Sequence, residues 1–272
     1  MSTGHPELVR FVEAWKSAVD DFLSLVEGLS PEQFAHPTDL PGWNVHAVVA
    51  HVAHLEALQA GHDHDDVETG DPAHVRNDLG RMTEQGVVAR RGVQPRDLVA
   101  EIRECTEARH AALLAAPPSE PDAPAPGVFA FVGWSLRTLL SNRPLDVAMH
   151  EQDIRRALDL PGNLDGAGSV HAAEYLLDAV GYVLAKRAQA AEGTTVRWFV
   201  EGHAPRAWQV GEDRRARQLD VVPPAADLTL SCGREEFLLL AGGRRPVGAV
   251  RVDVDGDTRL AQRVLENLAV TP

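Results

Sequence analysis

The chain has 272 residues, of which 44% are hydrophobic and 24% charged, the composition of a globular protein with room for two domains. Its formal net charge of −14 argues against nucleic acid and anionic membranes as partners, and no apolar run approaches the ~20 residues of a membrane helix. The two cysteines lack a CxxC spacing, and the polar, acidic start predicts no secretory signal. We therefore expect a cytoplasmic location, and the expected oligomeric state is a monomer or a homodimer.

The first part of the chain is predicted to be helical. Apolar residues recur at helical spacing over residues 6–28, and further helices are predicted at about 45–60, 72–90, 96–115 and 169–190. Ser30, followed by proline, is predicted to cap a short second helix, and Asn44 is predicted to cap the third. The Pro-rich stretch 117–127 is predicted to be a loop. The segment that follows this loop is apolar, and after it Pro144 falls where a helix restarts or bends.

The pattern changes near residue 192. Alternating segments at 194–202 and 204–211 predict a hairpin, and further strands are predicted at 227–232 and 250–257, each followed by a helix. The fold class predicted from the sequence is therefore α+β. Residues 1–191 are expected to form a helical bundle, and residues 192–272 are expected to form a small α+β domain.

Three histidines lie in "PGWNVHAVVAHVAHLE", residues 41–56. Helical spacing places His51 within an apolar stripe that points into the bundle, His54 on the flank of that stripe, and His46 outside it near solvent. A histidine on such a face can be a core residue that bonds to a backbone carbonyl, or it can be a metal ligand. A metal site would require further ligands from other helices.

The segment "RPLDVAMHEQDIRR", residues 143–156, offers such ligands. Asp146 and His150 are four residues apart on one helical face, so both can reach one ion, although pairs at this spacing are also common on helix surfaces. Asp153 continues the face, where it can orient a ligand or serve as a surface or capping residue. A second candidate, "GHDHDD" at 61–66, is interpreted as either a metal site or a solvated loop.

Together these segments resemble the mycothiol-dependent maleylpyruvate isomerase family of the DinB-like superfamily. The motifs are Gly-Trp-x7-His, ending at His51, and acidic-x3-His-x2-Asp, which begins at Asp146. The stretch "ADLTLSCGREEFLLLAGGRRP" resembles the small C-terminal α/β domain of that family, related to sterol-carrier-like folds. The resemblance implies a DinB-like four-helix bundle that binds a divalent metal, usually zinc, through His51, Asp146 and His150. Asp146 stands where the family usually has a glutamate, which is one methylene longer.

The resemblance also implies a function. Family members use the thiol cofactor mycothiol, which a metal converts to a thiolate that attacks an electrophilic carbon. An arginine in the C-terminal domain binds the substrate carboxylate, and Arg244 or Arg245 in "AGGRRP" is the candidate, although this segment can also be an exposed turn. We therefore expect a metal-dependent, mycothiol-using transferase or isomerase for a small electrophilic substrate. The alternative is a non-catalytic ligand-binding or stress-response protein that retains the fold.

Overall fold

The computed structural model describes residues 4–271. Up to Arg187 the described chain consists of helices and the loops between them, and a five-stranded sheet with two further α-helices and a short 3-10 helix (Val247–Ala249) follows. The helices before the sheet are α1 (Pro6–Val26), α2 (Pro31–Phe34), α3 (Val45–Gln59), α4 (Asp78–Ala89), α5 (Pro95–Ala115), α6 (Val128–Phe131), α7 (Leu136–Ala157), α8 (Ala167–Asp178) and α9 (Val180–Tyr182). A π-helical turn, Val183–Arg187, ends this series.

Side-chain caps determine where several helices begin. Ser30 and Gln33 form a reciprocal capping box at α2, and the side chain of Asn44 accepts a hydrogen bond from the Ala47 backbone N–H at 2.9 Å. Both predicted caps are confirmed. The fourth helix begins later than the predicted residue 72, because the side chain of Asn77 caps it through the Gly80 N–H at 2.8 Å.

Four long helices, α1, α3, α5 and α7, pack together as the predicted bundle. α1 lies against α7 and α5, and α3 lies against α5 and α7, while α4 covers a further side of α3. Consequently α3 is buried almost all the way round, from Val45 to Ala57. The core consists mainly of small aliphatic side chains together with a few aromatic ones, among them Trp15 and Phe22. α7 continues through Pro144, which the sequence left as either a restart or a bend.

The sheet contains β1 (Thr195–Val200), β2 (Arg206–Val210), β3 (Ala216–Gln218), β4 (Leu228–Cys232) and β5 (Asp253–Gly256). Their spatial order is β3-β2-β1-β4-β5; β1 and β4 run parallel, and the other neighbours are antiparallel. Helices α10 (Arg234–Ala241) and α11 (Thr258–Glu266) follow β4 and β5. The predicted hairpin and the predicted β4 are confirmed, β5 is shorter than predicted, and β3 was not predicted. The α+β fold class is confirmed.

The chain divides into two compact units, Met1–His171 and Ala172–Pro272. The change from helices to strands falls later, between Arg187 and Thr195. The domain division predicted at residues 191 and 192 stays a prediction. Within the range 4–271, no helix is both long enough and apolar enough to cross a membrane.

Candidate metal centre

Three predicted ligands meet in the bundle interior. His51 comes from α3, and Asp146 and His150 come from successive turns of α7. One ligand atom from each residue can be chosen so that all three lie within 4.8 Å of one another. The Nε2 atom of His51 is 3.3 Å from the nearer Asp146 oxygen, and the Nε2 atom of His150 is 3.6 Å from Oδ1 of Asp146. Two helices far apart in sequence therefore bring together two imidazoles and a carboxylate.

Neighbouring groups fix the orientation of His150. Its Nδ1 lies 3.1 Å from Oδ2 of Asp153, whose side chain is fully buried. Arg156 holds the other Asp153 oxygen, because its Nη2 donates to Oδ1 at 2.6 Å. With Nδ1 engaged in this way, Nε2 of His150 is the nitrogen that faces Asp146. Carboxylates behind ligating histidines act in this manner in many metal sites.

Trp43 covers both histidine rings. Its ring centroid is 5.0 Å from that of His51 and 6.0 Å from that of His150. Its indole N–H donates to Glu84 at 2.9 Å, and the same carboxylate oxygen lies 2.9 Å from Nε2 of His74. The Gly-Trp turn before α3 therefore places an aromatic wall beside the three ligand atoms.

Burial and charge set the protonation of the cluster. Burial lowers the pKa of His51, although Asp146 opposes this effect, so the imidazole is neutral at neutral pH. Burial by itself would raise the pKa of Asp146, but His51, Arg143 and His150 together hold it well below the ordinary value. A neutral imidazole and an ionised carboxylate are the forms that bind metal ions.

Two charged residues beside the cluster, Arg143 and Glu56, were not predicted from the sequence. Arg143 donates to Oδ2 of Asp146 at 2.9 Å and to Glu56 at 2.8 Å. The Glu56 side chain is 0% exposed and that of Arg143 is 1% exposed. Trp15 completes the group, since its indole N–H lies 3.1 Å from each Glu56 oxygen. The sequence signal was Glu56, the one acidic residue of α3, and helical periodicity alone could not identify its partner.

The other two histidines of α3 lie outside the cluster. Nε2 of His46 is 2.8 Å from the Val93 carbonyl oxygen, and the residue is half-buried. His54, predicted on the flank of the apolar stripe, is 1% exposed, and its Nδ1 is 3.2 Å from Oδ2 of Asp65. Burial, followed by the charge of Arg90, lowers the pKa of His54 to about 3.

The "GHDHDD" loop is tied to the bundle more closely than a solvated loop would be. Asp65 pairs with Arg90, the residue that follows α4, at 2.5 Å as well as with His54. Nε2 of His64 lies 3.0 Å from the side-chain oxygen of Gln85. The solvated-loop interpretation therefore holds only in part. Of the part of the chain that is described, the three-ligand group identified is His51, Asp146 and His150.

The remaining candidates lie in the second unit or on α5. Arg244 is half-buried just after α10, and its Nη1 donates to the Gly242 carbonyl oxygen at 2.6 Å, while Arg245 is exposed. The substrate-binding role expected for Arg244 stays a prediction. Burial raises the pKa of the Cys105 and Cys232 thiols to about 11 each, so neither is a thiolate at neutral pH. Neither cysteine is therefore suited to act as a nucleophile in this state.

The donor set fits a divalent metal such as zinc. Two imidazole nitrogens and one carboxylate oxygen are ligands that zinc accepts, and three protein ligands leave a position open. The distances between the His51 nitrogen and the carboxylate are longer than those of a good hydrogen bond, because Nε2 of His51 is 3.3 Å from one Asp146 oxygen and 3.4 Å from the other. Nδ1 of His51 is buried and has no hydrogen-bond partner among the described residues. The three side chains therefore converge without satisfying one another fully.

Comparison with known proteins points to one family. The model of the mycothiol maleylpyruvate isomerase N-terminal domain matches residues 15–155, and that of the MDMPI C-terminal domain matches residues 170–263. The fold is similar to crystal structures of mycothiol-dependent maleylpyruvate isomerase (TM-score 0.54, 15% identity) and of its histidine-to-alanine mutant (TM-score 0.58, 13% identity). Each similarity covers 94% of this chain and 98% of the other chain. No curated protein matches the sequence.

Proposed function

The chain belongs to the mycothiol maleylpyruvate isomerase family, and on this premise we propose that it is a metal-dependent enzyme that uses mycothiol to isomerise or conjugate a small electrophilic substrate. The observation that carries the proposal is the convergence of His51, Asp146 and His150 within 4.8 Å. These residues would hold the metal, with zinc favoured by the mixed nitrogen and oxygen donors. When bound, metal and thiol together supply a thiolate nucleophile at neutral pH.

The chain's own residues prepare this site in three ways. Asp153 holds Nδ1 of His150, so that Nε2 is presented to the ion. Burial keeps His51 neutral, and therefore its lone pair is available without the loss of a proton. Trp43 shields the two rings from water on one side. Together these contacts support a preformed site that needs little rearrangement on metal binding.

Arg244 is our proposed substrate-binding residue, with Arg245 as the alternative. The support is the resemblance of "AGGRRP" to the family's Gly-Arg segment, and a guanidinium can bind a carboxylate through two parallel hydrogen bonds. The proposed substrate is accordingly a small electrophile that carries a carboxylate. We also propose a cytoplasmic location, because a reducing compartment suits a thiol cofactor. The monomeric or homodimeric state stays a prediction.

A specific observation favours a second candidate, a ligand-binding protein without catalysis. Arg143 already pairs with the Asp146 carboxylate at 2.9 Å, so one of the three ligand groups has a protein cation beside it. Under this alternative, the bundle would bind metal or a small molecule and no thiol would react.

Metal analysis of purified protein tests the proposal. Wild type is expected to hold about one divalent ion per chain, whereas His51→Ala and His150→Ala should hold almost none. His46→Ala is the matched control, because this residue lies on the same helix and contacts the Val93 carbonyl instead. Mycothiol-dependent isomerisation of maleylpyruvate, which regenerates the thiol, or consumption of mycothiol by an electrophile that it conjugates should disappear in the same two variants. In Arg244→Ala, the metal should stay and the KM for the carboxylate substrate should rise.

The outcomes separate the candidates. Wild type that takes up no zinc on titration would contradict the enzyme proposal. Metal binding without any reaction of mycothiol, with maleylpyruvate or with other electrophiles, would favour the binding protein.

A further inference from the structure

The Asp146 carboxylate is attached to a chain of buried polar groups that the proposed reaction does not itself require. We name Trp15, Glu56 and Arg143 the Glu56 relay. Arg143 uses one terminal nitrogen, Nη2, for Glu56 at 2.8 Å and the other, Nη1, for Oδ2 of Asp146 at 2.9 Å. Trp15 fixes the far end, because its N–H lies 3.1 Å from both Glu56 oxygens. The relay connects α1, α3 and α7.

Stability gives no sufficient reason for this arrangement. The side chains of Glu56 and Arg143 are almost completely removed from solvent, and the desolvation of such a pair often cancels its mutual attraction. Well-packed apolar residues would serve the bundle core as well. The planar guanidinium fork is rigid, so Nη1 has a fixed position once Nη2 is anchored on Glu56. The rigid fork thereby also determines where Oδ2 of Asp146 lies.

The charges of the relay are balanced. The negative charge of Glu56 offsets the positive charge of Arg143, and therefore Asp146 keeps its own negative charge for another cation. Oδ1 of Asp146 is the oxygen that Arg143 leaves available. Nε2 of His51 lies about equally far from both oxygens, 3.4 Å from Oδ1 and 3.3 Å from Oδ2, whereas Nε2 of His150 lies 3.6 Å from Oδ1, its nearest Asp146 oxygen. The short aspartate arm has little freedom of its own, and Arg143 already occupies Oδ2, so Oδ1 is the oxygen best placed to bind an ion shared with the two histidines.

We propose that Arg143, anchored by Glu56, is a positioning residue that holds Oδ2 of Asp146 and presents Oδ1 as a single-oxygen metal ligand between His51 and His150. This inference rests on the metal site of the proposed function. It gives the buried relay a task at that site, and it explains how an aspartate can stand where the resemblance implies the longer glutamate.

The test compares wild type with the double variant Glu56→Gln/Arg143→Gln, which removes both charges together and leaves a polar, uncharged side chain at each position. Arg155→Gln is the matched control, because Arg155 lies on the same helix and pairs with Glu151 at 2.7 Å, away from the cluster. Zinc affinity is measured by competition with a chromogenic chelator. Coordination is followed by the visible absorption of the Co²⁺-loaded proteins, and folding by circular dichroism.

The double variant is expected to bind zinc about 10-fold more weakly or worse, as other changes behind metal ligands do. Its Co²⁺ bands should weaken, because a carboxylate freed from Arg143 can bind through both oxygens and raise the coordination number. A merely structural relay would leave the Co²⁺ spectrum unchanged in the folded variant. If the double variant does not fold, Glu56→Gln replaces it and should change affinity and spectrum in the same direction.

Two results would overturn the inference. If the folded double variant binds zinc within about twofold of wild type and gives a superimposable Co²⁺ spectrum, only the positioning role of Arg143 is refuted, and the proposed function still stands. Wild type that binds neither zinc nor Co²⁺ would refute both, since no ligand would then be positioned.

Discussion

Replacement of Gly86 by alanine should destabilise the bundle, although alanine is the better helix former. Gly86 lies in α4 directly against the ring of His54. A Cβ atom built on Gly86 would stand 2.6 Å from Cβ of His54 and closer still to the ring. The ring has no room to retreat, because His54 is 1% exposed and its Nδ1 is 3.2 Å from Asp65, which Arg90 also holds.

Two opposing effects set the magnitude. Exchange of glycine for alanine inside a helix ordinarily gains up to about 1 kcal/mol. Extra atoms forced into a packed core cost about 1–3 kcal/mol, and the pinned ring places this site at the upper end. We therefore expect Gly86→Ala to lower the free energy of unfolding by about 2 kcal/mol.

The same helix offers a control. A Cβ atom on Gly80 would come no closer than 3.5 Å to its neighbours, the nearest being the side-chain oxygen of Asn77. Gly80→Ala should therefore leave stability unchanged or raise it by up to about 1 kcal/mol.

Urea unfolding followed by far-ultraviolet circular dichroism measures both variants, together with His54→Ala and His54→Ala/Gly86→Ala. Removal of the ring should relieve the clash, so the two substitutions should couple strongly in a double-mutant cycle. The reasoning is refuted if Gly86→Ala is as stable as wild type, or if the effects of the two substitutions simply add.

Two further predictions concern buried histidines. The pKa of His54 is about 3 in the folded chain and about 6.5 in an unfolded one, so below pH 6.5 the unfolded state binds a proton that the folded state does not. As the pH is lowered below 6.5, the contribution of His54 should therefore reduce the free energy of unfolding by about 1.4 kcal/mol per pH unit. His54→Ala should show a shallower decline in this free energy between pH 6.5 and 5, and equal slopes for wild type and variant would contradict the assignment. Asp153→Asn should weaken zinc binding about 10-fold, because Nδ1 of His150 loses its charged partner. Chelator competition measures this affinity, and an unchanged value would show that Asp153 has no role in the site.

Local signals in the sequence were sufficient for most helix boundaries. Ser30 and Asn44 act through backbone groups three residues away, so their caps depend on no distant partner. β3 shows the opposite case. Its three residues, Ala216–Gln218, are mostly polar and exposed, and pairing with β2 rather than any apolar pattern makes them a strand.

The candidate site could be predicted only in part. Periodicity placed His51 on an inward face, and spacing placed Asp146 and His150 on one face of a helix. Neither pattern indicates that α3 and α7 bring these faces together; the family resemblance supplied that step. Glu56 and Arg143 were missed for a physical reason, since charged residues on helices are usually solvated. Their partnership spans 87 residues and exists only in the packed bundle.

The ends of the C-terminal sheet bear on how the protein behaves at high concentration. A strand at a sheet edge offers unpaired backbone groups to any other chain, and such pairing leads to aggregation. Here the outermost strands are short, with three residues in β3 and four in β5. Arg217 lies in the first, and Asp253 and Asp255 lie in the second, so both edges carry charge where a neighbouring strand would have to dock. The sheet therefore presents brief, charged margins that discourage its extension into a larger intermolecular sheet.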